Sequence, residues 1–229
     1  KKNFFFVPGS SSFDMANEIN ESATGRLIEY NLYPFSLAEL AADTSEREEK
    51  RLLENRLIYG LYPEVITEPG DAKRTLTSLT NNYLYKDLFS YKGLKKPDVI
   101  QKLVRALALQ LGSEVSYNEL SNLLGIDKET VENYICLLEK CFVVFRLDSF
   151  SRNLRNEIKK GKKIYFYDNG IRNAVISNFA PLELRTDAGA LEFKWNAKAK
   201  SKQLKVFMES YLNSVYEIIT PENFWSFVR

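Results

Sequence analysis

Ser116-Tyr-Asn-Glu-Leu-Ser-Asn-Leu-Leu-Gly-Ile-Asp127 is the stretch that decides the fold of this chain. Ser116 is a suitable cap for a short helix that stops at Gly125, and Asp127 is a suitable cap for a second helix. One face of the second helix is predicted to be buried, because its apolar side chains recur at helical spacing: Val131, Tyr134, Ile135, Leu138 and Cys141. The sequence therefore predicts two helices joined by a tight turn.

A third helix and two strands complete this unit. Pro97 opens a predicted helix over 98–111, ahead of the pair. Residues 142–147 predict a strand, and residues 162–167 predict its returning partner. Three helices and a β-hairpin in this order are typical of a winged helix-turn-helix, which binds DNA duplexes or mediates protein contacts.

The predicted wing carries dense positive charge, and its cations are candidate nucleic-acid-binding residues: Arg152, Arg155, Lys159, Lys160, Lys162 and Lys163. A lysine-rich hairpin is also often only a solvated turn, and both interpretations stay open. The second helix would expose Glu129 and Glu132 beside Lys128 and Asn133, and these carboxylates would repel phosphate. The wing is the better candidate for contact with double-stranded DNA, and contact with a partner protein is the alternative.

Composition limits the chemistry that this chain can carry. It has 229 residues, a net charge of +2 and no histidine, which excludes Ser-His and Cys-His catalysis and histidine metal ligands. A bound metal would be magnesium or manganese held by carboxylates. Cys136 and Cys141 are expected to be reduced core thiols. No long apolar run or signal-peptide pattern occurs, so we expect a cytoplasmic protein without membrane contact, built of two or three small domains.

The first part of the chain has the pattern of an incomplete α/β domain. Residues 3–7 form an apolar run that predicts a buried, parallel strand, and three serines follow it. Because no complete domain begins with its central strand, we expect the earlier part of this domain to precede residue 1. Further on, Ser36 and Glu39 predict a capping box, and helices are predicted over 46–59 and 71–89.

Glu192-Phe-Lys194 is the one arrangement with a chemical precedent in the second half of the chain. Side chains two apart on a strand point to the same face. In restriction-endonuclease-like folds such a pair, with an Asp on the adjacent strand, holds a divalent metal and polarises the attacking water. Glu192 is then a catalytic and metal-binding candidate, and Lys194 a catalytic one. A solvated ion pair is the alternative.

Several longer segments occur in one order and resemble a known family, and they are Phe6-Val-Pro-Gly-Ser-Ser-Ser-Phe-Asp-Met-Ala-Asn17, Gly25-Arg26, Leu32-Tyr-Pro-Phe-Ser36, Arg56-Leu-Ile-Tyr-Gly-Leu-Tyr-Pro-Glu-Val65, Tyr83-Leu-Tyr-Lys-Asp87, Ser149-Phe-Ser-Arg-Asn-Leu-Arg-Asn-Glu157 and Tyr167-Asp-Asn-Gly-Ile-Arg-Asn-Ala174. The family is the bacterial and archaeal AAA+-type P-loop ATPases with a C-terminal domain of unknown function. The resemblance covers nearly the whole chain.

The resemblance implies a mixed α/β fold in four parts. Residues 1–40 would be a remnant of the ATPase core, 41–96 a helical lid or linker, 97–167 the winged helix, and 168–229 a restriction-endonuclease-like domain. The family has a longer insert after Leu191, which would hold the Asp that partners Glu192 and Lys194. We therefore expect a segment to be missing there.

The resemblance also implies roles for residues near the start. Ser10, Ser11 and Ser12 would lie near the nucleotide γ-phosphate, and Arg26 would sense phosphate or act in trans on a neighbouring subunit. A packing or ion-pair role for Arg26 is equally open. The family's Walker segments lie upstream of Lys1, so ATP and Mg would bind only the full-length protein, in which oligomers are possible. The alternatives are a non-enzymatic DNA- or protein-binding module and a metal-dependent nuclease.

Overall fold

The computed structural model describes residues 28, 30–85, 88, 96–147, 162–185, 219–220 and 222–227. Over these ranges the fold is mixed α/β, mostly helical with one small antiparallel sheet. The described helices do not include one that is long and apolar enough to cross a membrane.

Five helices form the first part of the described chain. Their bounds are Leu37–Asp43 (α1), Glu46–Arg51 (α2), Leu53–Tyr59 (α3), Pro63–Thr67 (α4) and Ala72–Leu79 (α5). The predicted capping box is confirmed, since the Glu39 N–H donates to Ser36 Oγ (3.2 Å) and the Ser36 N–H donates to Glu39 Oε2 (2.8 Å). The helix predicted over 46–59 is interrupted at Leu52, and α5 continues into a π-helical turn at Thr80–Leu84.

Three helices and three short strands form the next unit. In chain order they are Pro97–Leu109 (α6), Glu114–Val115 (β1), Tyr117–Leu124 (α7), Lys128–Lys140 (α8), Val144–Leu147 (β2) and Lys162–Phe166 (β3). Both predicted caps are confirmed, because Ser116 Oγ accepts from the Glu119 N–H (3.4 Å) and Asp127 Oδ1 accepts from the Thr130 N–H (2.7 Å). The turn between α7 and α8 is therefore the one that the sequence predicts.

The first strand of the hairpin begins two residues later than predicted. Phe142 has a positive φ of 53°, and the Val143 N–H donates back to the Leu138 carbonyl (3.0 Å). This is the bonding that closes a helix with a left-handed residue after its last turn. Phe142 therefore belongs to the end of α8, and the start of the strand predicted over residues 142–147 is wrong by two residues.

The sheet is antiparallel in the order β1–β3–β2. Its inner face packs on the three helices. The largest fully buried apolar side chains of that core are Leu88, Ile100, Leu103, Leu107, Leu120, Ile135, Leu138 and Ile164. The burial predicted for one face of α8 is confirmed, with Cys141 packed at the edge of the core. Arg146 of β2 binds Glu139 of α8 and Tyr117 of α7, which ties the sheet to the helix pair.

A ninth helix, Asn169–Val175 (α9), follows β3 directly and packs against α3, α5 and α6. Its Ile171 is buried in a small cluster with Val65, Leu76 and Leu79. The first residues of the predicted restriction-endonuclease-like domain thus join the helices that precede them in the chain. Most of that predicted domain lies outside the described residues.

The C-terminal segment returns to the first helices. Phe224 and Trp225 are buried in a cluster with Leu53 of α3, and they lie in a 3₁₀ helix at Phe224–Phe227. The described C-terminal residues therefore pack against α3 through a short 3₁₀ helix.

Candidate functional site

Two of the site residues predicted from the sequence fall within the described chain, Lys162 and Lys163 at the start of β3. Lys163 is opposite Leu147 on one side and Glu114 on the other, and Lys162 is opposite Val115. The other candidates lie outside the described residues: Ser10, Ser11, Ser12, Arg26, Arg152, Arg155, Lys159, Lys160, Glu192 and Lys194. Their roles stay predictions.

The structure brings together two segments that are far apart in the sequence, residues 56–65 and residues 167–174. We call these segments the junction motifs. Asp168 caps α9 by accepting from the Ile171 N–H with Oδ1 (2.9 Å), and its Oδ2 accepts from the Leu61 N–H (2.7 Å). The Asp168 side chain is buried, with the residue 5% exposed. One carboxylate therefore binds the start of α9 to the chain just after α3.

Two glycines make this close approach possible. Gly60 has a φ of +73°, and a Cβ there would overlap the Asp168 carboxylate. A Cβ at Gly170 would overlap the backbone carbonyl of Tyr59. A side chain at either position would clash with the other segment. Glycine is therefore required at both positions because the two segments are in contact.

Two further side chains of α9 complete the junction. Asn173 Nδ2 donates to the Ile58 carbonyl (2.7 Å) near the end of α3, and Arg172 Nε donates to the Ala108 carbonyl (2.8 Å) of α6. Arg172 is buried with 1% exposure. We call Gly60, Asp168, Gly170, Arg172 and Asn173 the junction. It holds the first helices and the three-helix unit to one short helix.

A buried ion pair supports the junction from the side of α3. Arg56 donates to both carboxylate oxygens of Glu49 (2.9 and 3.0 Å), and the Thr44 hydroxyl donates to the same carboxylate (3.2 Å). Glu49 is fully buried. Because a buried carboxylate is stable only when it is fully bonded, the pair fixes α2 against α3.

A cavity of about 210 Å³ lies beside the junction, between residues 33–37, α3 and the end of β3. The two charged side chains that line it are Arg56 and Asp168. Both are already engaged, Arg56 by Glu49 and Asp168 by backbone N–H groups. The cavity therefore offers a ligand mainly apolar and aromatic contacts.

The two aspartate caps differ in electrostatics. Burial raises the pKa of Asp168 above its ordinary value, and the backbone N–H groups of Leu61, Ile171 and Gly170 act in the opposite direction. The hydroxyl and N–H of Thr130 lower the pKa of Asp127, which is exposed. The two carboxyls should therefore affect stability oppositely as the pH changes.

We expect the proton-linked part of the Asp168 contribution to the free energy of unfolding to be complete below the ordinary pKa of 3.8 and to be lost as the pH rises through its raised pKa in the folded protein. The Asp127 contribution should be present above 3.8 and be lost as the pH falls through its lowered pKa. Urea unfolding of wild type, Asp168→Asn and Asp127→Asn across this range measures both. As the pH rises, the free energy of unfolding of wild type should fall relative to that of Asp168→Asn and should rise relative to that of Asp127→Asn. A difference from Asp168→Asn that does not change with pH would contradict the assignment.

The outer face of the sheet carries a continuous group of aromatic rings. Val144, Ile164 and Phe166 face the core, so the alternating residues of β2 and β3 face outward. We call the five contacting rings on this side the aromatic face: Tyr33, Phe142, Phe145, Tyr165 and Tyr167.

The helix pair presents the opposite chemistry. We call the exposed surface of this helix pair the acidic face. It carries four exposed carboxylates: Glu119 on α7, Asp127 in the turn, and Glu129 and Glu132 on α8. Lys128 is the exposed cation among them, and Leu123 is 68% exposed on α7. No grouping of three or more Cys, Asp or Glu side chains suited to a metal ion occurs within the described ranges.

The fold and the junction define a mostly helical α/β chain whose sequence motifs serve the contact between α3 and α9. The chain belongs to the family "Domain of unknown function (DUF8612)", whose profile matches residues 50–182, more than half of the chain and both junction motifs.

Two longer proteins are similar to this chain in sequence. The chain is 24% identical over 180 residues to an uncharacterized protein of Haemophilus influenzae, a match that covers 74% of this chain and 45% of that protein. It is 30% identical over 100 residues to the uncharacterized protein MJ1637 of Methanocaldococcus jannaschii, a match that covers 43% of this chain and 21% of that protein. The chain thus spans less than half the length of these relatives. No solved structure matches it significantly.

Proposed function

We propose that this chain is the C-terminal part of a cytoplasmic AAA+-type ATPase and that its three-helix unit is a winged helix that binds DNA through the hairpin. One observation supports the winged helix above all. Helices α7 and α8, each with a side-chain cap, are joined by the three residues Gly125, Ile126 and Asp127, and an antiparallel hairpin follows them. Helix-turn-helix units use a turn of this length, often with a glycine.

The charge distribution supports contact through the hairpin instead of the second helix. The acidic face would meet phosphate with four carboxylates against Lys128, which is unfavourable. The segment between β2 and β3, residues 148–161, contains by sequence Arg152, Arg155, Lys159 and Lys160 against Asp148 and Glu157. The hairpin is therefore the side of the unit with a positive balance.

The ATPase part of the proposal rests on the sequence resemblance. The relatives extend well beyond the matched region, which leaves room for a nucleotide-binding domain in the longer protein. The junction also supports coupling between an ATPase domain and the winged helix, because α9 bonds to α3 through Asn173 and to α6 through Arg172. A displacement of the first helices would therefore carry the winged helix with it.

The DNA-binding part is tested by removing the four hairpin cations. Arg152, Arg155, Lys159 and Lys160, all replaced by alanine, should weaken duplex binding at least tenfold near 0.1 M salt, because each phosphate contact contributes electrostatically. The matched control replaces four exposed cations elsewhere, Arg47, Lys73, Arg74 and Lys102, and lowers the net charge equally. Anisotropy of a labelled duplex measures both. Equal reductions in affinity for the two variants would contradict hairpin contact.

The ATPase part is tested on the full-length protein. Nucleotide binding there should disappear when the predicted upstream P-loop lysine is replaced by alanine. Arg26→Ala should leave binding intact and lower hydrolysis by about 10³-fold, the effect of losing an arginine that stabilises transition-state charge. A full-length protein that binds no ATP would refute this part and leave the DNA-binding part standing.

Contact with a partner protein is the second candidate, and the acidic face favours it. A helix pair that exposes a leucine and four carboxylates suits a basic protein surface better than a nucleic acid. Glu129→Lys with Glu132→Lys should abolish such an interaction and leave duplex binding by the hairpin undiminished. If this double substitution strengthened duplex binding strongly instead, the acidic face would lie at the DNA contact, because the change removes carboxylates that repel phosphate.

A further inference from the structure

Helix α9 closes the ends of two other helices. The last carbonyls of a helix have no N–H partner within that helix. Asn173 Nδ2 donates to the carbonyls of Leu57 (3.4 Å) and Ile58 (2.7 Å), in the last turn of α3. Arg172 Nε donates to the Ala108 carbonyl in the last turn of α6 (2.8 Å). One short helix therefore caps a helix of the first part and a helix of the three-helix unit.

The two capping side chains are also bonded to each other. Arg172 Nη1 donates to Asn173 Oδ1 (3.1 Å), and Arg185 Nη2 donates to the same oxygen (2.9 Å). Arg172 and Asn173 are buried, with 1% and 2% exposure. Because a buried polar group that loses its partner is costly, each of these bonds makes the others harder to break separately.

The packing of α9 has the same intermediate character. Among the described elements, α9 packs on α3 and α5 of the first part and on α6 and β3 of the three-helix unit. No described helix of the first part packs as extensively on a helix or strand of the three-helix unit. Leu84 and Tyr85 reach the core of that unit, and Tyr33 stacks on Tyr167. Within the described chain, α9 is therefore the main connection between the two parts.

We propose that α9 is a conformational coupler, through which the first helices and the three-helix unit open as one cooperative body. Opening one part alone would break the buried bonds of Arg172 or Asn173 and leave carbonyls at a helix end without their donors. A change in the stability of one part is therefore transmitted to the other. This coupling goes beyond the proposed function and does not depend on nucleotide or nucleic-acid binding.

Native-state hydrogen exchange of the full chain tests the coupling, with mass spectrometry of peptides from α3 and from α6. Ile135→Val removes one methyl group from the core of the three-helix unit, a core to which α3 contributes no residue. It should speed amide exchange in α6 by about two- to tenfold, the usual effect of this substitution in a core. Because the two parts open together, α3 should show the same acceleration.

A second substitution tests whether the coupling runs through α9. Asn173→Ala removes the donor to α3 and the acceptor that Arg172 and Arg185 share. In this background Ile135→Val should still speed exchange in α6, and its effect on α3 should be lost or much reduced. Leu53→Ala is the matched control, because it also destabilises the first helices, by removing a side chain packed on Phe224 and Trp225, and leaves these hydrogen bonds in place. The effect of Ile135→Val on α3 should persist there.

Two results would overturn the proposal. If Ile135→Val alone sped exchange in α6 and left α3 unchanged, the two parts would open independently. If its effect on α3 were as large with Asn173→Ala as without it, the coupling would not run through α9. Circular dichroism identifies a variant that fails to fold. The comparison of Ile135→Val with wild type decides the first point without any substitution in the junction.

Discussion

Asp168→Ala is expected to lower the free energy of unfolding by about 3 kcal/mol or more, because each buried N–H left without an acceptor costs about 1–3 kcal/mol. The variant leaves at least two such groups, the N–H of Leu61 and that of Ile171. It also frees α9 from the chain after α3. Urea unfolding monitored by circular dichroism measures the decrease.

Asp127→Ala is the matched control, since Asp127 is also an aspartate that caps a helix but is exposed and contacts its own helix alone among the described bonds. It should cost much less than Asp168→Ala. Equal costs would mean that Asp168 acts as a helix cap only and that its bond to Leu61 contributes nothing.

Gly60→Ala is expected to be the second largest effect, at about 3 kcal/mol. Gly60 has φ 73° and ψ −165°, a backbone region almost restricted to glycine that costs another residue about 1–3 kcal/mol, and forcing a methyl group into a packed site costs about 1–3 kcal/mol more. The added Cβ would overlap the Asp168 carboxylate, which is held by two backbone bonds and cannot move aside freely.

Gly125→Ala is a comparison variant with a positive φ and no packing clash. Gly125 has φ 64° and ψ 37°, in the left-handed region, and nothing lies within 4 Å of a Cβ built there. Its cost should be the backbone term alone, about 1–2 kcal/mol. If Gly60→Ala cost no more than Gly125→Ala in thermal unfolding, the close approach of Gly60 and Asp168 would not be present in solution.

Local signals in the sequence predicted the parts of the fold that depend on neighbouring residues. Ser36, Ser116 and Asp127 each cap the helix that follows them, because capping is decided within three residues. The start of β2 was predicted two residues early, since residues 142–147 form a mostly apolar run. The positive φ of Phe142 and the backbone bonds from Phe142 to Glu139 and from Val143 to Leu138 assign Phe142 to the helix end.

The junction could not be predicted in this way. Leu61 and Asp168 are 107 positions apart, and nothing in either motif states that they meet. A glycine inside each motif was the available signal, because Gly60 and Gly170 are needed where another part of the chain comes close. The aromatic face has the same origin, since Tyr33 reaches Tyr167 only in the folded chain.

The salt dependence of DNA affinity tests the central claim, binding through the hairpin, most directly. On duplex DNA the slope of log K against log salt should fall in magnitude by about 0.9 for each phosphate that the protein no longer neutralises. It should therefore fall by up to about 3–4 when Arg152, Arg155, Lys159 and Lys160 become alanine. The control that replaces Arg47, Lys73, Arg74 and Lys102 should keep the wild-type slope. A slope that is the same in wild type and the hairpin variant would contradict the account.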